Sequence, residues 1–104
     1  MKAVAGDRGL LVELVEIFRT EGPRRLADLR RALAKGDAAG VESAAHSIKG
    51  SVGSLKAKRS YDAARAVEAL ARRGELTGIQ IACVALEQEI AHLQQALTTF
   101  AGAA

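Results

Sequence analysis

The sequence predicts an all-α fold: an antiparallel four-helix bundle with a short extra N-terminal helix. Three observations predict it. Apolar residues make up 49 % of the chain but aromatics only 3 %, so Leu, Ile, Val and Ala must build the core, which suits packed helices. Asn is absent and Pro occurs once, so the punctuation that many short strands need is missing. Apolar positions recur at spacings of three and four, the period of a helix with one buried face. At 104 residues the chain is expected to form one domain around one core over 1–104, with the bundle from about 7 to 100.

The elements follow in order. From Asp7 to Thr20 the residues Leu10, Leu11, Leu14, Val15 and Phe18 form a helical stripe, and Asp7 suits its N-cap. Glu21-Gly22-Pro23 interrupts this helix, and Pro23 fits the first turn of the next. Leu26, Leu29, Leu33 and Ala34 mark that second stripe, closed by Lys35 and a C′ glycine, Gly36. Asp37 caps a third helix, roughly Ala38 to Lys56, whose seam is Val41, Ala45, Ile48, Val52 and Leu55. A fourth, roughly Ser60 to Arg73, turns Ala64, Val67, Leu70 and Ala71 inward and ends at Gly74. The fifth, roughly Thr77 to Phe100, buries Ile79, Cys83, Leu86, Ile90, Leu93 and Leu97. Short loops make consecutive helices antiparallel neighbours. Ala101 to Ala104 are expected to fray.

Several function classes lack a signature. One cysteine, Cys83, cannot form an internal disulfide, which fits a reducing compartment and a cytoplasmic location. No apolar run approaches 18 residues and no basic-then-apolar leader is present, so neither a membrane span nor a signal peptide is expected. There is no phosphate-cradling glycine loop, no paired-cysteine zinc pattern and no metal-binding histidine pair. The net charge of +3 admits an anionic partner without choosing one.

His46 stands out geometrically. At about 100° per residue it lies about 140° from the seam of its helix, on the polar side. Glu42, Lys49, Gly50 and Gly53 share that face at helical offsets. Each glycine costs a helix interior about 1 kcal/mol relative to Ala, and Ala is abundant elsewhere in this chain. Two glycines beside an exposed histidine suit a group that approaches the backbone closely, and Lys49 suits an anionic one. A neutral imidazole offers a nucleophilic nitrogen without a base to deprotonate it, and an ammonium offsets charge on phosphoryl oxygens. The competing reading is a plain solvated histidine. His92 provides the contrast: it also falls on a polar face, but Gln95 and Ala96 follow it at the offsets where His46 has Lys49 and Gly50. His92 reads as surface decoration, and Cys83 as a small core residue.

The run His46-Ser47-Ile48-Lys49-Gly50-Ser51, followed by Gly53, Leu55 and Ala57, resembles the signature of the histidine phosphotransfer (HPt) domains of bacterial two-component phosphorelays. Leu14-Val15-Glu16-Ile17-Phe18, the stretch from Leu29 to Asp37, and Glu68-Ala69-Leu70-Ala71 resemble other helices of that family. The resemblance implies that His46 is the phosphoacceptor through Nε2, Lys49 the phosphate-stabilising cation and Gly50 the clearance position. Glu68 matches a position where the family often has Gln or Glu bonding the other imidazole nitrogen. Arg72, one turn further on, is placed to face the partner. Two positions depart from the pattern: Lys56 stands where the family usually has glycine, and Ser60 where it has an aliphatic residue.

The resemblance further implies a relay carrier without autokinase activity, taking a phosphoryl group from one receiver-domain aspartate and passing it to another. No cofactor is expected on this chain, because magnesium belongs to the receiver. The expected partners are receiver domains and a hybrid sensor histidine kinase, of which such a domain is often the terminal piece. Neither nucleic acid nor membrane contact is expected. Gly50, Gly53, Arg72 and Lys56 are the candidate receiver-facing surface, with Lys49, Lys58, Arg59 and Arg73 adding positive charge. Two alternatives remain open. One is a phosphoacceptor fed directly by the catalytic domain of a histidine kinase. The other is a non-catalytic basic helical module, against which stand the scattered cations and the lack of interleaved aromatics.

Overall fold

In the computed structural model, which describes residues 8–75 and 77–103, the chain forms four helices. They are α1 (Arg8–Ala34), α2 (Ala38–Ser54), α3 (Lys58–Arg72) and α4 (Ile79–Ala103). Each helix packs on its neighbours in sequence, and α1 also packs on α4, which closes a ring. Pairings across the seams show the antiparallel order. Glu42 meets Arg72 and His46 meets Glu68 between α2 and α3, while Arg30 meets Glu87 between α1 and α4. Val15, Phe18, Leu29, Val41, Ala45, Ile48, Val52, Ala64, Val67, Ile79, Cys83, Leu86 and Ile90 fill the interior.

The expected extra N-terminal helix is not a separate element. α1 runs through Pro23 without a break. Pro23 removes one backbone donor, and its ring disfavours a helical residue before it by crowding that residue's Cβ. The preceding residue is Gly22, which has no Cβ. Gly22 is also buried, and a Cβ there would come within 2.9 Å of the Gln94 side chain and 3.3 Å of the Phe18 ring. The seam of α1 therefore stays in phase through Phe18, Gly22, Leu26, Leu29 and Leu33, and packing against α4 holds the helix together across the proline. The expected N-cap, Asp7, lies outside the described residues. At the other end α4 starts two residues later than expected and extends to Ala103, past the expected Phe100.

Three helices end in the same hydrogen-bonded turn. After α1, Gly36 N–H donates to Leu33 O and Asp37 N–H to Ala32 O, at 3.0 and 2.9 Å. After α3, Gly74 and Glu75 bond Ala71 and Leu70 in the same pattern, both at 3.0 Å. After α2 the pattern repeats with Lys56 and Ala57 bonding Gly53 and Val52. This closure needs a left-handed residue at C′. Gly36 and Gly74 supply it at φ 68° and 70°, but Lys56 is forced to φ 58°. The helix thus ends at Ser54, before the expected Lys56. Lys56→Gly should raise stability by about 1 kcal/mol, the left-handed penalty less the added freedom of the unfolded chain. Thermal denaturation should register it as a rise of roughly 5 °C. An unchanged or lower melting temperature would show that the lysine is not strained.

Asp37 caps α2 as expected, its Oδ1 accepting from Gly40 N–H at 3.0 Å. Ser60 is buried and donates its hydroxyl to Glu89 O at 3.3 Å. The buried hydroxyl at the contact between α3 and α4 is thereby satisfied.

Candidate functional site

The middle of α2 presents His46 to solvent. Its seam residues Ala45, Ile48 and Val52 are buried, so the helix cannot rotate, and the imidazole is left 68 % exposed. Gly50 lies next to it on the same face, and a Cβ built there would meet nothing within 4 Å. Gly50 is therefore not required by internal packing. Gly53 is different: a Cβ there would sit 3.5 Å from the Tyr61 ring, an ordinary contact. The space beside His46 is therefore open at Gly50 and bordered by the Tyr61 ring at Gly53.

Beneath the imidazole lies Glu68 of α3, its side chain only 4 % exposed. Its Oε2 is 2.8 Å from His46 Nδ1. Its Oε1 is 2.8 Å from Lys49 Nζ. Oε2 also accepts from Arg72 Nη2 at 3.0 Å, and Arg72 Nε donates to Glu42 Oε2 at 2.9 Å. One buried carboxylate thus gathers an imidazole and two cations from two helices. The hydrogen bond from Lys49 holds its pKa below the usual carboxylate range against the opposing effect of burial, with His46 adding to the lowering. Glu68 is consequently an anion, and an anion can only accept. In a neutral ring that hydrogen bond calls for the proton on Nδ1, which leaves the lone pair on Nε2.

Lys49 is less exposed than the sequence reading implied. Its side chain is 23 % exposed, held between Glu68 and the face of Tyr61, whose ring centroid is 6.0 Å from Nζ. Sequence reasoning places Glu42 on the His46 face without a role, and it misses Tyr61. A usable signal existed for Tyr61: Tyr61, Glu68 and Arg72 recur at helical spacing along one face of α3.

A family model for the Hpt domain matches residues 13–96. The chain belongs to the Hpt domain family. No curated protein and no solved structure matches it. Hpt domains carry phosphoryl groups in two-component signalling, where they meet response-regulator receiver domains and histidine kinases. The matched span covers every residue of the cluster around His46.

Within this Hpt domain the other basic residues are mostly engaged. Lys58 pairs with Asp62 at 2.8 Å, Arg59 with Glu89 at 2.9 Å, and Arg73 with Glu75 at 3.4 Å. Lys56 has no acidic partner among the described residues. It projects from the turn after α2, at the far end of that helix from Glu42. His92 is exposed on α4, at the opposite side of the ring of helices from α2. Cys83 is buried, and burial pushes its thiol pKa up, as befits a core residue. Among the described residues no helix is long and apolar enough to cross a membrane.

Proposed function

We propose that this Hpt domain is a phosphorelay intermediate in the cytoplasm, with His46 Nε2 accepting a phosphoryl group from one receiver aspartate and yielding it to another. The observation that carries this reading is the 2.8 Å contact between His46 Nδ1 and the buried Glu68. It supplies a nucleophilic Nε2 without any proton transfer. In the forward step the Nε2 lone pair attacks phosphorus, the bond from phosphorus to the aspartyl oxygen breaks, and the carboxylate leaves with the electron pair. The ring keeps its Nδ1 proton and gains positive charge, which the Glu68 carboxylate offsets. Return transfer reverses each bond change.

Lys49 stands beside the acceptor with ammonium protons beyond the one directed at Glu68, and these can meet the phosphoryl oxygens. The cofactor expectation is unchanged: magnesium would be brought by the receiver. Receiver-fed and kinase-fed transfer are separated by donor. The chain should acquire phosphate from a phosphorylated receiver mixed with it alone, and mass spectrometry should place it on His46. Labelling only when a histidine kinase catalytic domain and ATP are supplied would replace this reading with the kinase-fed one.

Gly50 gives an independent test of the approach path. Its surroundings are empty, so adding a side chain should not harm packing, and an exposed helix gains up to about 1 kcal/mol on losing a glycine. Gly50→Gln should therefore be as stable as the parent or more so, yet transfer should fall by roughly 10-fold or more, the equivalent of about 1.4 kcal/mol. Thermal unfolding and transfer rate on the same variant decide. Unchanged transfer would leave Gly50 as a tolerated defect of the helix.

A further inference from the structure

Resting on His46 as phosphoacceptor, we infer that Glu42 and Arg72 form a positioning pair that holds Glu68 Oε2 against His46 Nδ1 and so sets the tautomer of the nucleophile. Arg72 was expected to face the partner. Its guanidinium, still 64 % exposed, also spans the α2–α3 seam, with Nε on Glu42 Oε2 and Nη2 on Glu68 Oε2. Four side chains form a closed circuit: His46 to Glu68 to Arg72 to Glu42, and back to His46 through one turn of α2. Two of the four come from each helix.

The need for such a pair follows from the geometry of Glu68. A glutamate has several rotatable bonds, and its two oxygens here have three claimants. Lys49 takes Oε1. His46 and Arg72 share Oε2, which two acceptor directions permit. A lysine alone could draw the carboxylate away from the ring. Arg72 opposes this by gripping the other oxygen, and its planar fork holds that grip only because Glu42 fixes the Nε edge. Arg72 also neutralises Glu42, which would otherwise stand as a bare carboxylate one turn from the nitrogen that must receive a phosphoryl anion. Glu42, and then Glu68, raise the arginine pKa above its ordinary value. Neither residue touches the reacting atoms, so both act through Glu68.

The test uses the full chain labelled with ¹⁵N and a phosphorylated receiver as donor. Long-range ¹H–¹⁵N spectra at a pH where the ring is neutral report the His46 tautomer directly. The parent should show Nδ1 protonated. Arg72→Ala should shift the population towards the Nε2-protonated form and slow transfer by about 10-fold, the scale of one charge-assisted contact. Arg72→Lys keeps the charge but lacks the rigid planar fork that fixes two carboxylates in one geometry, so it should recover little of either. Glu42→Ala should move the tautomer in the same direction with Arg72 still present. Arg72 is exposed, so thermal unfolding should stay near that of the parent. A slower Arg72→Ala with an unmoved tautomer would overturn the inference and assign Arg72 to the partner or the phosphoryl group. Full rescue by Arg72→Lys would also overturn it, in favour of simple charge screening. Failure of the parent to label at His46 would instead remove the phosphoacceptor reading beneath it.

Discussion

His46→Gln should abolish phosphorylation of the chain by any phosphorylated receiver while leaving the fold intact. The imidazole is mostly solvent-exposed, so little packing is lost with it. The glutamine amide can still place a donor towards Glu68, but it has no nucleophilic nitrogen lone pair, because that pair is delocalised into the carbonyl. The loss is therefore one of chemistry alone. His92→Gln supplies the control, since His92 is exposed on α4 and has no neighbouring lysine and glycine at the offsets seen for His46. It should label as the parent does. The product on the parent should be labile in acid and comparatively stable in base, as a phosphoramidate is. Residual labelling of His46→Gln, or loss of labelling in His92→Gln, would mean that the nucleophile has been misassigned.

Much of this was legible in the sequence because a helix encodes its orientation locally. The seam Val41, Ala45, Ile48 and Val52 fixes which way α2 faces, and His46 on the opposite side follows from the helical period alone. Gly50 was legible for the same reason: a glycine costs stability in a helix, so its presence asks for an explanation. The fused α1 was not legible. Gly22-Pro23 reads as a break, and the residue that keeps the seam in phase is a glycine, which carries no hydrophobic signal. Its place in the core depends on Gln94 and Phe18 lying close by, and Gln94 is distant in sequence. The strained Lys56 was visible only as a departure from the family pattern, because a left-handed backbone leaves no trace in a lysine side chain. The Glu42–Arg72–Glu68 circuit was hidden for a further reason. It depends on how far α3 slides along α2, and a periodicity argument sets the rotation of each helix but not that offset.

Glu68 provides the second large effect, and its outcome depends on what replaces it. Glu68→Leu removes the only partner of His46 Nδ1 seen among the described residues and releases Lys49 and Arg72. The ring is then free to carry its proton on either nitrogen, and nothing offsets the charge it gains on phosphorylation. A charge-assisted hydrogen bond contributes about 1.5–3 kcal/mol, so transfer should slow by roughly 10- to 100-fold. The fold should survive, because the cations that Glu68 holds can reach water and a leucine suits a site this buried. Glu68→Gln should lose less. Its amide oxygen can still accept from Nδ1–H and keep the tautomer, although it cannot offset the charge or satisfy Lys49 at the same time. Acid sensitivity reports how far the cations stabilise the native carboxylate. Its pKa is lowered on folding, foremost by Lys49, so its ionised form contributes stability that is present above the ordinary carboxylate range and lost as the pH falls through the folded value. Glu68→Gln does not titrate, so melting temperature should fall less steeply on acidification than in the parent. Parallel acid profiles would show that the carboxylate is not stabilised by its cations. Rapid transfer by Glu68→Leu would show that Nε2 attacks equally well without a partner on Nδ1.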